Sequence, residues 1–298
     1  MDGIARELQV SRSTVSRLLT FAKTEGLVQI QIFDPAGQTR GLGKRIAARY
    51  ALKQTHVVLV EDSAGEAEWL EQVSQYAANY LNSQFDSNMN LGIAWGTTVS
   101  AISRNLVRKN TYNSHITLLN GTGSPQTMAI AYAVELVMRF ARNYNARAHI
   151  LPVPAYFDSP QTRKTLWQER SLKRLLDLRQ QVDLMLFSIG AAGSGVPSHL
   201  HSGGYLEEAD IHQLEEQGVA GDIAGLFFRE DGSFNDIPIN QRASGPGLEL
   251  IQRKYSLCVV SGLAKVRGLH AALQGGLVNE LILDEPTARA LVETFTAS

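Results

Sequence analysis

The sequence lacks most of the features that would place a chain in a membrane or outside the cell. It has one cysteine, Cys258, so no disulfide can form within the chain, and its apolar surroundings, YSLCVVSG, predict a buried thiol rather than a nucleophile. No run reaches the roughly 18 apolar residues that cross a bilayer, and the first residues lack the basic-then-apolar order of a signal peptide. We therefore expect a cytoplasmic protein without a membrane partner.

Short apolar runs do recur along most of the chain, and longer amphipathic stretches separate them. With 298 residues, of which 44% are hydrophobic, the chain is long enough for about two domains with ample core. Seven runs have the length of strands: residues 55–62, 89–96, 115–123, 148–158, 182–190, 255–262 and 278–285. Because helical patterns follow most of these runs, the strands should be buried on both faces of a mostly parallel sheet. We predict a doubly wound, Rossmann-like α/β domain over residues 54–298.

The first 36 residues follow a different pattern. Ser11 is suited to cap a helix over residues 12–24, and a short turn separates it from an earlier helical stretch, DGIAREL. The order of a small Ala5, a turn, Val10 and Val15 resembles the helix-turn-helix of bacterial repressors, whose second helix enters the major groove. Gln9 stands where that motif usually has a glycine in a left-handed conformation. We predict a winged helix-turn-helix over residues 1–36, with an ordinary surface hairpin as the alternative.

The predicted second helix presents a basic, hydroxyl-rich face. Residues 1–49 hold eight Lys and Arg against four Asp and Glu, although the whole chain has a net charge of −1. Because affinity for DNA comes largely from neutralising phosphates, we expect operator DNA to bind here. The candidate DNA-binding residues are Ser11, Arg12, Ser13, Thr14, Ser16 and Arg17. Residues 37–53 predict a linker helix with basic residues close to the DNA, or a solvated helix that only joins the domains.

Four of the predicted strands end in small, hydroxyl-rich loops: WGTTVS, LNGTGS, SIGAAGSG and SGLAK. Parallel sheets bind ligands beyond the carboxyl ends of their strands, where helix N-termini offer free N–H groups. Gly96 would let the backbone approach a ligand, Thr97 and Thr98 offer hydroxyls, and a phosphate would fit there. Lys265 begins a helix, where a cation is unfavourable unless an anion is also bound. The alternative is ordinary turn and capping chemistry, with Lys265 extending into water.

Five segments together resemble the SorC-type, sugar-responsive transcriptional regulators. These segments are SRSTVSRLLTFAKTEGLVQI, LGIAWGTTVSAI, LPVPAYFDSP, GDIAGLFFREDG and GGLVNELILDEPTARALV. The resemblance implies a DNA-binding module joined to an effector domain similar in fold to glucosamine-6-phosphate deaminase and ribose-5-phosphate isomerase. It also implies a phosphorylated sugar, or a related sugar or polyol, as the effector. We expect no cofactor, and a homo-oligomer, a dimer or tetramer, in which ligand binding changes the spacing of paired recognition helices.

The same resemblance implies a set of ligand contacts. Gly96, Thr97 and Thr98 would hold the phosphate with help from Lys265, and Asp222 would accept hydrogen bonds from sugar hydroxyls. Further residues expected in the pocket are Asn120, Gly121, Gly123, Gly190 and Arg242. Asn120 and Ser124 lie in a segment that varies within the family, so the motif does not specify the sugar.

Several residues allow a different interpretation. His199 and His201 have a spacing that could bind a metal, but no acidic or cysteine partner is near them in sequence, so we predict no metal site. Trp95 could stack on a sugar or lie in the core, and Asp222 could cap a helix instead of binding a ligand. A sugar-phosphate isomerase or deaminase would need a positioned acid and base, and Asp222 and Lys265 are present without a dedicated general base. We therefore predict a regulator and not an enzyme.

The start of the chain leads to one further expectation. A helix-turn-helix normally has a helix before its first one, and only Met1 precedes DGIARELQV. We expect a sequence that begins late, so that Ile4, Leu8 and Leu19 lack part of their apolar cover and DNA is held weakly.

Overall fold

The computed structural model describes residues 2–7, 9–24, 38–61, 64–121, 129–192 and 205–296. The chain divides into two compact units, Met1–Ala36 and Gly37–Ser298. The predicted wing falls on residues 25–37, outside the described residues. None of the described helices is both long enough and apolar enough to cross a bilayer.

The described part of the first unit contains two helices, Asp2–Glu7 and Arg12–Thr24. Between them Gln9 has a φ of 52°, the left-handed conformation predicted for this turn. The Val10 N–H donates to the Ala5 carbonyl at 3.0 Å and the Gln9 N–H donates to the Arg6 carbonyl at 3.3 Å. This pair of bonds is a Schellman motif, which ends a helix and satisfies two of its last carbonyls. The turn therefore forms with glutamine in place of glycine.

Ser11 caps the second helix, as predicted, because its Oγ accepts a hydrogen bond from the Thr14 N–H at 3.1 Å. Val15 is buried at 2% exposure, whereas Leu18, Leu19 and Phe21 are exposed at 52%, 38% and 58%. The apolar stripe predicted along this helix is therefore covered only in part.

Ten strands are described in the second unit. In chain order they are β1 Gln54–Val58, β2 Asn90–Ile93, β3 His115–Leu118, β4 Arg147–His149, β5 Leu184–Phe187, β6 Gly190–Ala191, β7 Val219–Ile223, β8 Leu226–Arg229, β9 Tyr255–Val260 and β10 Glu280–Asp284. Seven of them form one sheet in the order β1-β10-β9-β5-β2-β3-β4, and every neighbouring pair is parallel. Each strand of this sheet lies within one of the seven predicted apolar runs or overlaps it, so the predicted α/β fold is confirmed.

Helices connect the strands and cover the sheet. Those described are Gln38–Tyr50, Glu66–Gln84, Thr97–Arg104, Ala129–Tyr144, Pro160–Leu166, Arg170–Gln180, Glu208–Glu216, Leu248–Arg253, Val266–Gln274 and Glu285–Thr296. Two 3-10 turns, Pro238–Gln241 and Leu263–Lys265, accompany them. The Gln38–Tyr50 helix, predicted as a linker, packs on β1 with Ile46 fully buried. Its exposed side carries Arg40, Lys44, Arg45 and Arg49.

The two faces of the sheet are both buried. Along β5, Leu184 and Leu186 belong to one apolar cluster, while Met185 and Phe187 belong to the other. Because successive side chains of a strand point to opposite faces, this alternation places one cluster on each side of the sheet. Cys258, on β9, is buried in the second cluster, and burial raises the pKa of its thiol, as expected for a small core residue.

A second sheet of three antiparallel strands, β6-β7-β8, was not predicted. Its hairpin turns at Ala224 and Gly225, which have φ values of 52° and 77°. Positive φ at both central residues defines the type I′ turn that best joins paired strands, and Asn-Gly is its usual signal. With Ala-Gly in that place, the sequence GDIAGLFF reads as one apolar run instead of two short strands.

Candidate functional site

A cavity of about 270 Å³ lies at the carboxyl edge of the parallel sheet. Its wall includes residues that follow β2, β3, β5 and β9, together with part of the β7–β8 hairpin. All four of the hydroxyl-rich loops singled out in the sequence therefore contribute to one cavity. Parallel strands bring this about because their carboxyl ends meet at the same edge.

The loop after β2 leads directly into the helix Thr97–Arg104. Gly96 precedes this helix with a φ of 154°, and its carbonyl accepts from the Ser100 N–H and from the Tyr132 hydroxyl, both at 2.9 Å. Thr97 is exposed and Thr98 is almost fully buried, and both line the cavity. The first N–H groups of a helix have no acceptor within it, so this end of the cavity favours an anion.

Lys265 also lines the cavity, at the end of the 3-10 turn Leu263–Lys265. Its Nζ donates to Thr98 Oγ1 at 3.0 Å and to Ser188 Oγ at 3.2 Å. The side chain therefore joins the loops after β9, β2 and β5, and the alternative in which it extends into water is wrong. Burial lowers the pKa of this amine, and nearby acidic groups raise it again in part.

The 3-10 turn that carries Lys265 is held by acidic side chains that the sequence interpretation missed. The Gly262 N–H donates to Asp284 Oδ2 at 3.0 Å, and the Leu263 N–H donates to Glu66 Oε1 at 3.1 Å. Glu66 also lines the cavity. A carboxylate in the first residues of a helix, as in the segment GEAEWL, reads as ordinary helix capping, so no local signal marks Glu66 as part of a site.

Asp222 lies on β7 and enters the cavity from the hairpin side. Its Oδ2 accepts from the Gly225 N–H at 3.1 Å, so it caps the hairpin turn, and the alternative of a helix cap is wrong. A Cβ at Gly190 would lie 1.9 Å from Asp222 Oδ1, so only glycine leaves room for the carboxylate. Burial raises the pKa of Asp222 to about 6, while the Gly225 N–H and the Lys265 charge lower it.

Two buried polar atoms on the cavity wall have unmet hydrogen-bonding capacity. Asn120 is 2% exposed and Ser261 is 8% exposed. Within the described part of the chain, neither Asn120 Oδ1 nor Ser261 Oγ has a hydrogen-bond partner. Buried polar atoms are almost always bonded, so exceptions at a cavity indicate that a ligand or water supplies the partner.

Two predicted pocket residues lie away from the cavity wall. The Gly121 N–H donates to Ser244 Oγ at 2.9 Å, and a Cβ at this position would lie 2.4 Å from the Val153 carbonyl oxygen. Glycine is thus required for close backbone packing. The Arg242 guanidinium pairs with Asp210 and donates to the Phe157 carbonyl at 3.4 Å. Both residues pack the strand-end region instead of lining the cavity.

Some earlier candidates are placed differently or not at all. Gly123 and the pair His199 and His201 lie in residues 122–128 and 193–204, outside the described residues. Trp95 is 9% exposed, donates from Nε1 to the Gly121 carbonyl at 3.0 Å and stacks on Tyr205 at 5.1 Å between ring centroids. It is a core aromatic that also forms part of the wall. Among the described residues, no group of His, Cys, Asp and Glu could hold a metal ion.

Comparison with known proteins covers nearly the whole chain. A family model described as "Putative sugar-binding domain" matches residues 34–293. The deoxyribonucleoside regulator of Bacillus subtilis (strain 168) is 33% identical over 292 residues, which are 97% of this chain and 91% of that protein. The sorbitol operon regulator of Klebsiella pneumoniae is 27% identical over 292 residues, which are 97% and 92% of the two chains.

Solved structures agree with these relatives. A domain of a possible sugar-binding transcriptional regulator from Arthrobacter aurescens TC1 is 42% identical with a TM-score of 0.81, and the match covers 87% of this chain and 100% of that one. The full-length sorbitol operon regulator SorC from Klebsiella pneumoniae gives a TM-score of 0.83 at 25% identity, covering 98% and 93%. The chain belongs to the family of SorC-type, sugar-binding transcriptional regulators, as its motifs predicted.

Proposed function

Starting from that family membership, we propose that the chain binds operator DNA through residues 11–24 and that a sugar phosphate or polyol phosphate in the cavity switches it. The single observation that carries the effector half of the proposal is the Lys265 amine, bonded to Thr98 Oγ1 at the N-terminus of a helix. A buried amine, a helix N-terminus and threonine hydroxyls together are a set of donors suited to a phosphate.

The remaining polar groups of the cavity suit a polyhydroxyl ligand. Asn120 Oδ1 and Ser261 Oγ are buried without partners in the described chain, and Asp222 offers a carboxylate oxygen beside Gly190. These oxygens can accept hydrogen bonds from sugar hydroxyls. The names of relatives support the same class, because they include a sorbitol operon regulator and an erythritol catabolism regulatory protein.

The DNA-binding half of the proposal depends on the first unit. The helix Arg12–Thr24 follows a capped turn and exposes Arg12, Ser13, Ser16 and Arg17. Such a helix can enter the major groove with its N-terminal residues facing the bases. Because groove binding by this motif normally uses two half-sites, the proposal includes a cytoplasmic homo-oligomer, whose spacing of recognition helices changes when the ligand draws the strand-end loops together.

A sugar-phosphate isomerase or deaminase is the rival interpretation, and the proposal is that the chain is not an enzyme. Asp222 is the acidic residue that could act together with Lys265 in such a reaction. Its Oδ2, however, already accepts a hydrogen bond from the Gly225 N–H. A turnover assay with the ligand that binds best separates the two readings. Conversion of that sugar phosphate at enzyme-like rates would contradict a function limited to regulation.

The effector site is tested by a thermal-shift screen of the full chain against phosphorylated and unphosphorylated sugars and polyols. A ligand that binds only the native state must raise the melting temperature. Replacing Thr97 and Thr98 with alanine should abolish the shift and leave operator binding unchanged. The matched control is Thr165→Ala, because Thr165 is exposed on a different helix, where its hydroxyl donates to the Gln161 carbonyl. A persistent shift in the Thr97 and Thr98 variant would refute the phosphate assignment.

The DNA site is tested with an operator fragment selected from a random DNA pool. Replacing Arg12 and Arg17 with alanine should weaken operator binding at least about tenfold, because two phosphate or base contacts are lost. Arg170 and Arg174, which are exposed in the second unit, provide the matched double alanine control. Equal operator binding by both double variants would refute the recognition-helix assignment and leave the effector site untouched.

A further inference from the structure

We infer that the cavity selects a ligand with a single phosphate and no other anionic group, and that Asp222 and Glu66 exclude a second phosphate or a carboxylate. This inference rests on the proposed function, because it assumes that the ligand is a phosphorylated sugar or polyol. It narrows that class to the monophosphates and assigns the selectivity to two acidic side chains.

The charges on the cavity wall are unequal in sign. Among the described lining residues, Lys265 is the cation, whereas Glu66 and Asp222 are both carboxylates. Three segments next to the described loops, residues 62–63, 122–128 and 193–204, contain no Lys or Arg in the sequence. Lys265 is therefore the one cation among the described lining residues, which suits one phosphate.

Two arginines that contact the backbone near the strand ends are committed elsewhere. Arg242 pairs with Asp210, and Arg179 donates from Nη1 to the carbonyls of Leu119 at 3.0 Å and Ser244 at 2.6 Å. Arg179 is 5% exposed, so turning it toward the cavity would break buried bonds. Neither guanidinium is available to neutralise a second phosphate.

The acidic groups are also fixed in place. Asp222 is held by the Gly225 N–H and by the space that Gly190 leaves for it, and Glu66 is held by the Leu263 N–H. With Lys265 engaged by a first phosphate, a second anion would meet these two carboxylates. Like charges repel strongly where water is excluded, and such repulsion is a common source of selectivity.

The size of the cavity agrees with this reading. Its volume of about 270 Å³ lies just below the range of roughly 300–1,000 Å³ that is usual for drug-sized ligands. A small sugar or polyol with one phosphate suits a cavity at the low end of that range. The hydroxyls of such a sugar or polyol would donate to the carboxylate oxygens of Glu66 and Asp222, which repel an anion.

The test is calorimetric titration of the full chain at pH 8 with matched pairs of compounds. The pairs are glucose 6-phosphate with glucose 1,6-bisphosphate, fructose 6-phosphate with fructose 1,6-bisphosphate, and ribose 5-phosphate with ribose 1,5-bisphosphate. For the pair that binds best, we expect the monophosphate to bind at least about tenfold more tightly. Equal or tighter binding of the bisphosphate would overturn the inference and leave the proposed function standing. If no phosphorylated sugar or polyol binds, the proposed effector class fails as well.

Two variants test the assignment to named side chains. Asp222→Asn keeps an oxygen that can accept from the Gly225 N–H but removes the charge, so the monophosphate-to-bisphosphate affinity ratio should fall toward one. Glu66→Gln does the same at the Leu263 N–H and gives a second measurement if the first variant folds poorly. The control is Asp183→Asn, because Asp183 Oδ2 also accepts a backbone N–H, that of Asn90 at 2.8 Å, at the other edge of the sheet.

The affinity ratio separates selectivity from a merely structural role. Loss of a merely structural contact would lower the affinities for both ligands of a pair by the same factor, so the affinity ratio would not change. An unchanged ratio in both Asp222→Asn and Glu66→Gln would therefore overturn the assignment, whereas the ratio of Asp183→Asn should equal that of the natural chain.

Discussion

Two buried asparagines at opposite edges of the parallel sheet, Asn90 and Asn120, differ in their hydrogen bonding. At the amino edge, Asn90 donates from Nδ2 to the Leu178 carbonyl and accepts at Oδ1 from the Thr117 hydroxyl, both at 2.8 Å. At the carboxyl edge, Asn120 is even more deeply buried, yet its Oδ1 has no partner in the described chain. Asn90 thus has hydrogen-bond partners within the fold, whereas Asn120 Oδ1 is left able to accept a hydrogen bond from another molecule.

The same contrast occurs at the two ends of a single strand. Ser256, at the start of β9, exchanges hydrogen bonds with Asn279, whose Oδ1 accepts from the Ser256 N–H at 2.8 Å. Ser261, just after the end of β9, has an unpartnered Oγ within the described residues. Among these two asparagines and two serines, the two with an unpartnered oxygen, Asn120 and Ser261, both line the cavity at the carboxyl edge, which is the arrangement expected of a binding edge.

The largest expected effect comes from the cation at the binding edge. Lys265→Met should lower the affinity for the phosphorylated ligand about 100-fold or more, because charge-assisted hydrogen bonds to the phosphate are lost. The unliganded fold should not lose stability, since burial already disfavours this cation. Calorimetric titration and denaturant unfolding measure the two effects, with the exposed Lys173→Met as control. An unaltered ligand affinity would remove Lys265 from the phosphate site.

The two asparagines provide the next test. Asn90→Ala should lower the free energy of unfolding by about 2 kcal/mol, because the Thr117 hydroxyl and the Leu178 carbonyl are left unpaired in the interior. Asn120→Ala should lower the free energy of unfolding by less than half of that amount. It should also reduce the ligand-induced rise in melting temperature. Denaturant unfolding with and without ligand measures both. Equal losses of stability in the two variants would show that the edges do not differ as described.

The pH dependence of stability distinguishes Asp222 from an ordinary carboxylate. Because its pKa is raised from 3.8 to about 6 in the folded chain, the folded state binds the proton more tightly than the unfolded state. The stability that this proton contributes is complete below about pH 4 and is lost as the pH rises through 6. Asp222→Asn should therefore be more stable than the natural chain at pH 8, by about 1 to 2 kcal/mol, and the difference should vanish near pH 4. A difference that grows toward low pH would contradict the assignment.

The smallest expected effect separates the two serines of β9. Ser256→Ala should cost about 1 kcal/mol in unfolding free energy, since it removes bonds to Asn279. Ser261→Ala should change that free energy by less than about 0.5 kcal/mol and should lower ligand affinity. Unfolding curves for both variants under the same conditions give the comparison. A larger cost for Ser261→Ala would indicate a structural partner for its hydroxyl.

Features that depend on the pattern of neighbouring residues were predicted from the sequence. Several features that depend on contacts between distant segments were missed. The seven runs of apolar residues identify the parallel strands because such strands are buried on both faces. The β7–β8 hairpin was missed because Ala224 and Gly225 give a weak turn signal. Gly121 and Gly190 belong to similar loops but lie in different places. Gly121 packs against the Val153 carbonyl away from the cavity wall, whereas Gly190 packs against Asp222 at the wall. Glu66 reached the site through a contact with Leu263, about two hundred residues away in sequence.

Separate segments of the chain, spread from Glu66 to Lys265, form the wall of the cavity. Most of them follow strands of one parallel sheet. The loops after β2, β3, β5 and β9 can be varied without changing the residues that pair the strands of the parallel sheet. A protein built in this way can change the ligand that its cavity fits by altering one loop at a time. The same property makes the fold a practical scaffold for engineered metabolite sensors, in which the loops are varied and the sheet is left alone.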